Sequence, residues 1–227
     1  MQFQKEILKI DGERIVCEVQ LRQKNAIILH GAGVSNRKRY YAFADELLRQ
    51  GIGVVLFDFS GHGESTGGLH DLSLARRQIQ ACGVIDAFLD KQSTFYLIGF
   101  SMSGQTVCDL LSMYGSRVEA ILLGCPGIYT KAVHGLVFGD SIFTSTIRQP
   151  ASWEASSALA ALREFEGRTI IAIGDNDDVI PPGVVTLLSD AAKHSSVYKY
   201  KDATHQLANW LSKNPDKLRN LVQELTK

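Results

Sequence analysis

The chain has no surplus charge of either sign: 24 basic residues stand against 24 acidic ones in 227. A nucleic-acid footprint needs a basic excess gathered on one face. The only basic cluster is Arg37-Lys38-Arg39, which reads as the solvated start of a helix. No apolar run approaches the roughly eighteen residues needed to span a bilayer. The opening MQFQKEILKI lacks both a continuous apolar stretch and a small-residue cleavage site, so it does not read as a signal peptide. Cys17, Cys82, Cys108 and Cys125 are scattered, with no CxxC pair. Three of them lie in apolar surroundings, so they read as buried free thiols in a reducing compartment. No repeat, low-complexity tract or linker divides the chain. These absences leave a soluble cytoplasmic protein of one domain, monomer or homodimer, and its 45% hydrophobic content is ordinary for that class.

What is present is an alternation of short apolar runs with helical patterns. Phe3, Ile7 and Ile10 alternate weakly up to Asp11-Gly12, and the pattern resumes at Ile15, Cys17, Val19 and Leu21. Asp-Gly between two such runs predicts a hairpin. Apolar runs at 26–29, 54–59, 95–99, 118–124, 168–173 and 196–200 read as strands. Helices are expected at about 39–49, 72–89, 102–114 and 183–193; in the second, the apolar series is Leu72, Ala75, Ile79, Cys82, Ile85, Phe88 and Leu89. Strands apolar on both faces, alternating with helices, predict a mostly parallel eight-stranded sheet covered on each side, with the hairpin as its antiparallel edge. Residues 125–152 break the alternation, being apolar, Gly-rich and aperiodic, and 153–165 reads as a helix leading to the next strand. An insertion at about 125–165, after a strand end, reads as a small cap over a pocket; an ordinary long crossover is the plain alternative.

Ligands of such sheets bind beyond the carboxyl ends of the strands. Four of those ends carry suggestive residues. In FYLIGFSMSG a strand passes into a helix through a tight turn of small residues, with Ser101 at its tip. A sharp strand-to-helix turn lifts a serine hydroxyl above the sheet and aims the first amides of the helix at the same space. A helix N-cap would be the plainer role for such a serine. A serine nucleophile needs a base, and the base an orienting group. His205 in KDATHQL follows a strand and is the best-placed histidine. His30 and His62 sit beside glycines, where a backbone role fits better; His70 and His134 lie in less defined segments, and His194 closes a helix. GDNDDVIPP offers Asp175, Asp177 and Asp178 as the orienting acid, and spacing alone leaves the three tied. HGAG after strand 26–29 lets a backbone amide approach a developing negative charge, so the amides of Ala32 and Met102 are the oxyanion candidates.

With these residues in view the sequence resembles the α/β-hydrolase family over nearly its whole length. LHGAG resembles the family's oxyanion loop, FDFSGHGEST its D-x-x-G-H-G-x-S turn, GFSMSG its nucleophile elbow, GDNDDVIPP its acid loop and DATHQL its histidine loop. Aligning Gly174 and Pro181 with the acid loop selects Asp177, a choice the resemblance alone makes. Ser103 departs from the glycine that many relatives carry there. Length and FDFSGHGEST are most similar to small serine esterases cleaving acyl or hydroxycinnamoyl esters, with the monoacylglycerol-lipase-like group another near relative.

The expected activity is hydrolysis of a small carboxylic ester by Ser101, His205 and Asp177, with no metal or organic cofactor and no nucleic-acid partner. Tyr129, Phe138, Phe143 and Trp153 are the expected substrate-binding aromatics of the cap. Thioester or amide cleavage by the same residues is the near rival. A peptidase would need acids for a free amine, and Asp140 and Glu154 are the only nominees. A binding protein with an idle triad is the rival of another class.

Overall fold

The computed structural model describes residues 3–227. Strands β1 (Gln4–Ile10) and β2 (Glu13–Gln20) form the expected hairpin. Asp11 and Gly12 turn it with φ of 54° and 79°, the two positive values that a two-residue turn of this twist requires. There follow β3 (Asn25–Leu29), α1 (Tyr41–Arg49), β4 (Gly53–Phe57), α2 (Leu74–Phe88), β5 (Phe95–Phe100), α3 (Ser103–Tyr114) and β6 (Val118–Gly124). The chain continues with α4 (Ser141–Ile147), α5 (Ser157–Glu164), β7 (Arg168–Asn176), α6 (Pro182–Ala191), β8 (Ser195–Thr204), α7 (Leu207–Ser212) and α8 (Pro215–Thr226). The eight strands make one sheet in the order β1-β2-β4-β3-β5-β6-β7-β8. Only the β1–β2 and β2–β4 pairings are antiparallel.

Alternation along the central strands fills two cores. Ile27, Leu29, Val55, Leu97 and Ile121 face α2, α3, α5 and α6, whereas Ala26, Ile28, Val54, Ile98 and Leu122 face α1, α7 and α8. Because β3 to β8 run parallel, their carboxyl ends lie along one edge, and the four suggestive loops all leave from it.

Three local expectations are corrected. Residues 153–165 are not one helix: a 3-10 turn (Ser152–Ala155) stops at Ser156, which is extended and bridges Thr130. Its Oγ accepts from the Ala158 amide at 3.1 Å, so Ser156 caps α5 instead of continuing a helix. The buried face of α2 is Leu74, Arg77, Ala81, Val84 and Ile85, and Ile79 is half exposed. Polar Arg77 and Gln80 on that inner face mask the apolar stripe.

Arg37 is not solvated. Its side chain is 1% exposed and bonds Glu18 at 3.0 Å, Glu64 at 2.7 Å and the fully buried Asp58. The Arg37 amide also donates to Asp58, at 2.8 Å, and the Glu64 amide does so at 2.9 Å. Burial alone would lower the Arg37 pKa, but the acids around it raise it above the ordinary arginine value. This network ties the loop after β3 to the turn after β4, and so fixes one side of the sheet edge. Arg37→Met would leave Asp58 buried without its cation. We expect a loss of about 3–5 kcal/mol in urea denaturation; a loss below about 1 kcal/mol would show that the network is not holding these loops.

Candidate active site

Ser101 lies between β5 and α3 with φ of 52°, a left-handed value that costs a non-glycine residue about 1–3 kcal/mol. Surrounding contacts hold it there. The Ser101 amide donates to the Gly124 carbonyl at 2.9 Å, and the Ser101 carbonyl accepts from Gly104 and Gly127, each at 2.8 Å. Small neighbours are obligatory. A Cβ on Gly99 would lie 2.6 Å from the Val107 side chain, and one on Gly104 would lie 2.7 Å from Pro126. Ser103 is fully buried, and its hydroxyl donates to the His30 carbonyl at 2.6 Å. The elbow therefore accommodates serine where relatives carry glycine.

The structure brings Ser101, His205 and Asp177 together. His205 Nε2 is 2.9 Å from Ser101 Oγ, and its Nδ1 is 3.0 Å and 3.2 Å from the two Asp177 oxygens. An ionised carboxylate can only accept, so Nδ1 carries the proton; Nε2 is then free to accept from the serine hydroxyl. Asp175 and Asp178 are exposed, and of the three acids Asp177 is the one that bonds His205. The Asp177 side chain is 5% exposed. Burial pushes its pKa up, but bonds from His205 and from the Ile180 and Val179 amides, together with the nearby Cys125 thiol, outweigh it and hold it at about 2.

Cys125, directly after β6, was missed as a neighbour of this acid. Cys125, Asp177 and His205 each offer a ligand atom, all within 4.8 Å of one another. Burial raises the thiol pKa far above its usual range, so at neutral pH the sulfur stays protonated beside Asp177 and no thiolate ligand is supplied.

The loop after β3 closes over the serine. A Cβ on Gly31 would lie 3.1 Å from Ser101 Cβ, so glycine permits this approach. Neither the Ala32 nor the Met102 amide donates to another protein group among the described residues. His30 and His62 have the backbone roles expected of them. The Phe59 amide donates to His30 Nε2 at 3.0 Å, so Nδ1 donates to the Gly31 carbonyl at 2.6 Å. Burial lowers the His30 pKa well below the histidine range and keeps the ring neutral. The His62 Nδ1 faces the Ser60 carbonyl at 3.0 Å. Arg77 was also missed. It is fully buried and donates to both the His30 carbonyl, at 2.6 Å, and Ser103 Oγ, at 2.7 Å. An arginine on the inner stripe of α2, three residues after Leu74 and four before Ala81, was the available signal.

A pocket of about 60 Å³ opens beside the serine, lined by Gly31, Ala32, Tyr40, Ser101, His205 and Gln206 among others. Tyr129, Phe138 and Phe143 gather in one apolar cluster with Met102, Ala32, Leu74 and Val133. Trp153 does not join them; it packs on the main core, with its indole nitrogen near Gly183. Asp140 caps α4 by accepting from the Ile142 amide at 2.8 Å, and Glu154 is exposed. A larger cavity, about 880 Å³, lies between α3 and α5 and includes Asp109 and His134, which are 2.8 Å apart. Size does not make it the reacting centre. Its cysteine, Cys108, is held protonated by burial, and the serine nearest the pair, Ser157, donates to Asp109 and not to His134.

This arrangement of sheet and helices agrees with what known proteins show. A sequence model of the alpha/beta hydrolase family matches residues 26–219, and the chain belongs to that family. Hydrolase is the class that membership supports. No curated protein sequence matches. Among solved structures, Est1E from Butyrivibrio proteoclasticus with ferulic acid bound is 19% identical, with a TM-score of 0.75 over 97% of this chain and 99% of that one. A thioesterase domain from the curacin biosynthetic pathway is 16% identical, with a TM-score of 0.74 over 97% and 100%. Est816, described as degrading N-acyl homoserine lactones, is 17% identical, with a TM-score of 0.75 over 96% and 99%. Similarity at this level establishes the shared fold.

The Asp177 geometry sets a pH dependence. Its folded pKa of about 2 lies below the ordinary 3.8, so its stabilisation is present above that ordinary value and is lost as pH falls through the folded one. The stability difference between wild type and Asp177→Asn should therefore carry a pH-dependent part of about 2 kcal/mol that fades between about pH 4 and pH 2. Urea midpoints across that range measure it; a difference constant with pH would contradict the bonded carboxylate.

Proposed function

We propose that the protein is a serine hydrolase of small carboxylic esters, acting through Ser101, His205 and Asp177. His205 takes the hydroxyl proton as Ser101 Oγ attacks the ester carbonyl, and the Ala32 and Met102 amides receive the oxyanion. Asp177 keeps the proton on Nδ1 and stabilises the imidazolium. The tetrahedral adduct collapses as His205 gives its proton to the leaving alcohol, and an acyl-serine forms. Water, deprotonated by the same histidine, then releases the acid and regenerates the serine.

What carries this reading is the unbroken hydrogen-bonded line from hydroxyl to imidazole to carboxylate, 2.9 Å and then 3.0 Å. The 60 Å³ pocket supports a small group on one side of the scissile bond. Residues 125–165 act in this reading as a cap on a single domain. Tyr129, Phe138 and Phe143, clustered with Met102 and Ala32, supply the apolar surface for the substrate. Trp153 contributes less directly, through the packing of the cap on α6.

Ser101→Ala should lower turnover of short p-nitrophenyl esters by on the order of 10³ or more and abolish labelling by a fluorophosphonate probe. Hydrolysis undiminished in that variant would reject the assignment. Running matched thioesters and aminoacyl amides beside the esters identifies which bond is preferred.

A further inference from the structure

Arg77 is an arginine in an unusual position. It is fully buried and has no carboxylate within ion-pair distance among the described residues. Its Nε and Nη1 make no hydrogen bond to protein. The guanidinium lies over the Phe59 ring, with its carbon 3.8 Å from the centroid. Burial lowers its pKa to about 9, which still leaves it charged at neutral pH. Removing such a charge from water is costly, and here no counter-charge repays it. Arg37, buried to the same degree, has three acids.

What Arg77 does touch is informative. Its Nη2 and the Ser103 hydroxyl both donate to the His30 carbonyl, and Nη2 also donates to Ser103 Oγ. Those three groups form a closed triangle linking α2, the elbow and the loop after β3. The peptide whose oxygen they hold is the one joining His30 to Gly31, and Gly31 packs against Ser101. The next amide along is that of Ala32.

We infer that Arg77, acting through Ser103 and the His30 carbonyl, is a positioning residue for the oxyanion loop and keeps an unneutralised positive charge beneath the anion site. Two effects follow from one side chain. The orientation of the His30–Gly31 peptide sets where the Ala32 amide points. The buried charge, in a medium of low dielectric, favours the full negative charge that forms on the substrate oxygen far more than the dipole of the neutral ester. Ser103 takes its meaning from the same triangle: it gives the guanidinium a partner in the elbow where a glycine would offer none. The inference rests on the serine-hydrolase reading above.

The test measures stability and turnover together. If Arg77 merely held the fold, Arg77→Met would lower the thermal midpoint and the fraction of active enzyme in parallel. The present inference expects the opposite division. Arg77→Met should keep or raise the thermal midpoint, because an unpaired buried charge is replaced by an apolar side chain of similar length. Its kcat per labelled active site should fall by about 10–100-fold, with KM changed by less than about 3-fold. Arg77→Lys should recover part of that loss. Ser103→Ala, a smaller change that folds if the elbow does, should lower kcat by about 3–10-fold. The double variant should be no worse than Arg77→Met alone, since both changes break one unit.

An unchanged kcat in folded Arg77→Met, a midpoint falling in step with activity, or strictly additive losses in the double variant would each overturn the inference. Wild-type hydrolysis and fluorophosphonate labelling lost in Ser101→Ala establish the underlying reading separately. Their absence would end that reading and this inference with it.

Discussion

Ser101 occupies a backbone conformation that an L-residue avoids, and the rest of the site is built around keeping it there. Three hydrogen bonds pin its peptide groups to β6, to Gly127 just beyond it and to the first turn of α3. Gly99 and Gly104 must lack side chains because α3 and the loop after β6 leave no space for them. The strain is sustained because packing in two cores over-determines the crossing of β5 into α3. The same turn that lifts the hydroxyl leaves the Met102 amide without a protein acceptor among the described residues, so in the proposed mechanism nucleophile and anion site arise from one local geometry.

Charge is handled in two opposite ways within this small region. Arg37 is enclosed by Glu18, Asp58 and Glu64 and acts as a mechanical tie between two loops. Arg77 has no acid partner and spends its contacts on a carbonyl and a hydroxyl. An enclosed ion pair presents little field to its surroundings, whereas an unpaired buried cation presents nearly all of it. Asp177 belongs with the first kind. Three donors converge on it, from His205, Val179 and Ile180, and its low pKa keeps it an acceptor for His205 throughout the neutral range.

The two cavities differ in kind as well as in size. The larger one lies outside the serine's reach and is mostly bounded by the helices of one layer. The smaller one touches Ser101, His205 and the loop at Ala32, where a reacting carbonyl would sit. Phe143 is buried against Met102, so the apolar side of the site is occupied by the segment after β6 in this conformation. Solved structures that share this fold include one with ferulic acid bound, a thioesterase domain and a protein described as degrading N-acyl homoserine lactones, so the scaffold leaves the choice of bond to such details.

The sequence by itself determined the order of elements, the parallel sheet with its hairpin edge and the loops that carry Ser101, Asp177 and His205. Buried strands are written locally as apolar runs, and tight turns as small residues, so adjacent residues suffice to read them. Among Asp175, Asp177 and Asp178, adjacency gave no decision; the resemblance chose, and the fold of the loop around Val179 and Ile180 turns one carboxylate inward. The neighbours of Arg37 and Arg77 were hidden for the same reason. Arg37 meets acids 19, 21 and 27 residues away, and Arg77 meets groups 47 and 26 residues away. Adjacent Arg76 and Arg77 look alike as letters, yet one reaches Asp11 at the surface and the other the His30 carbonyl in the interior. Only tertiary structure decides that, because the direction of a helix face is set by what the helix packs against.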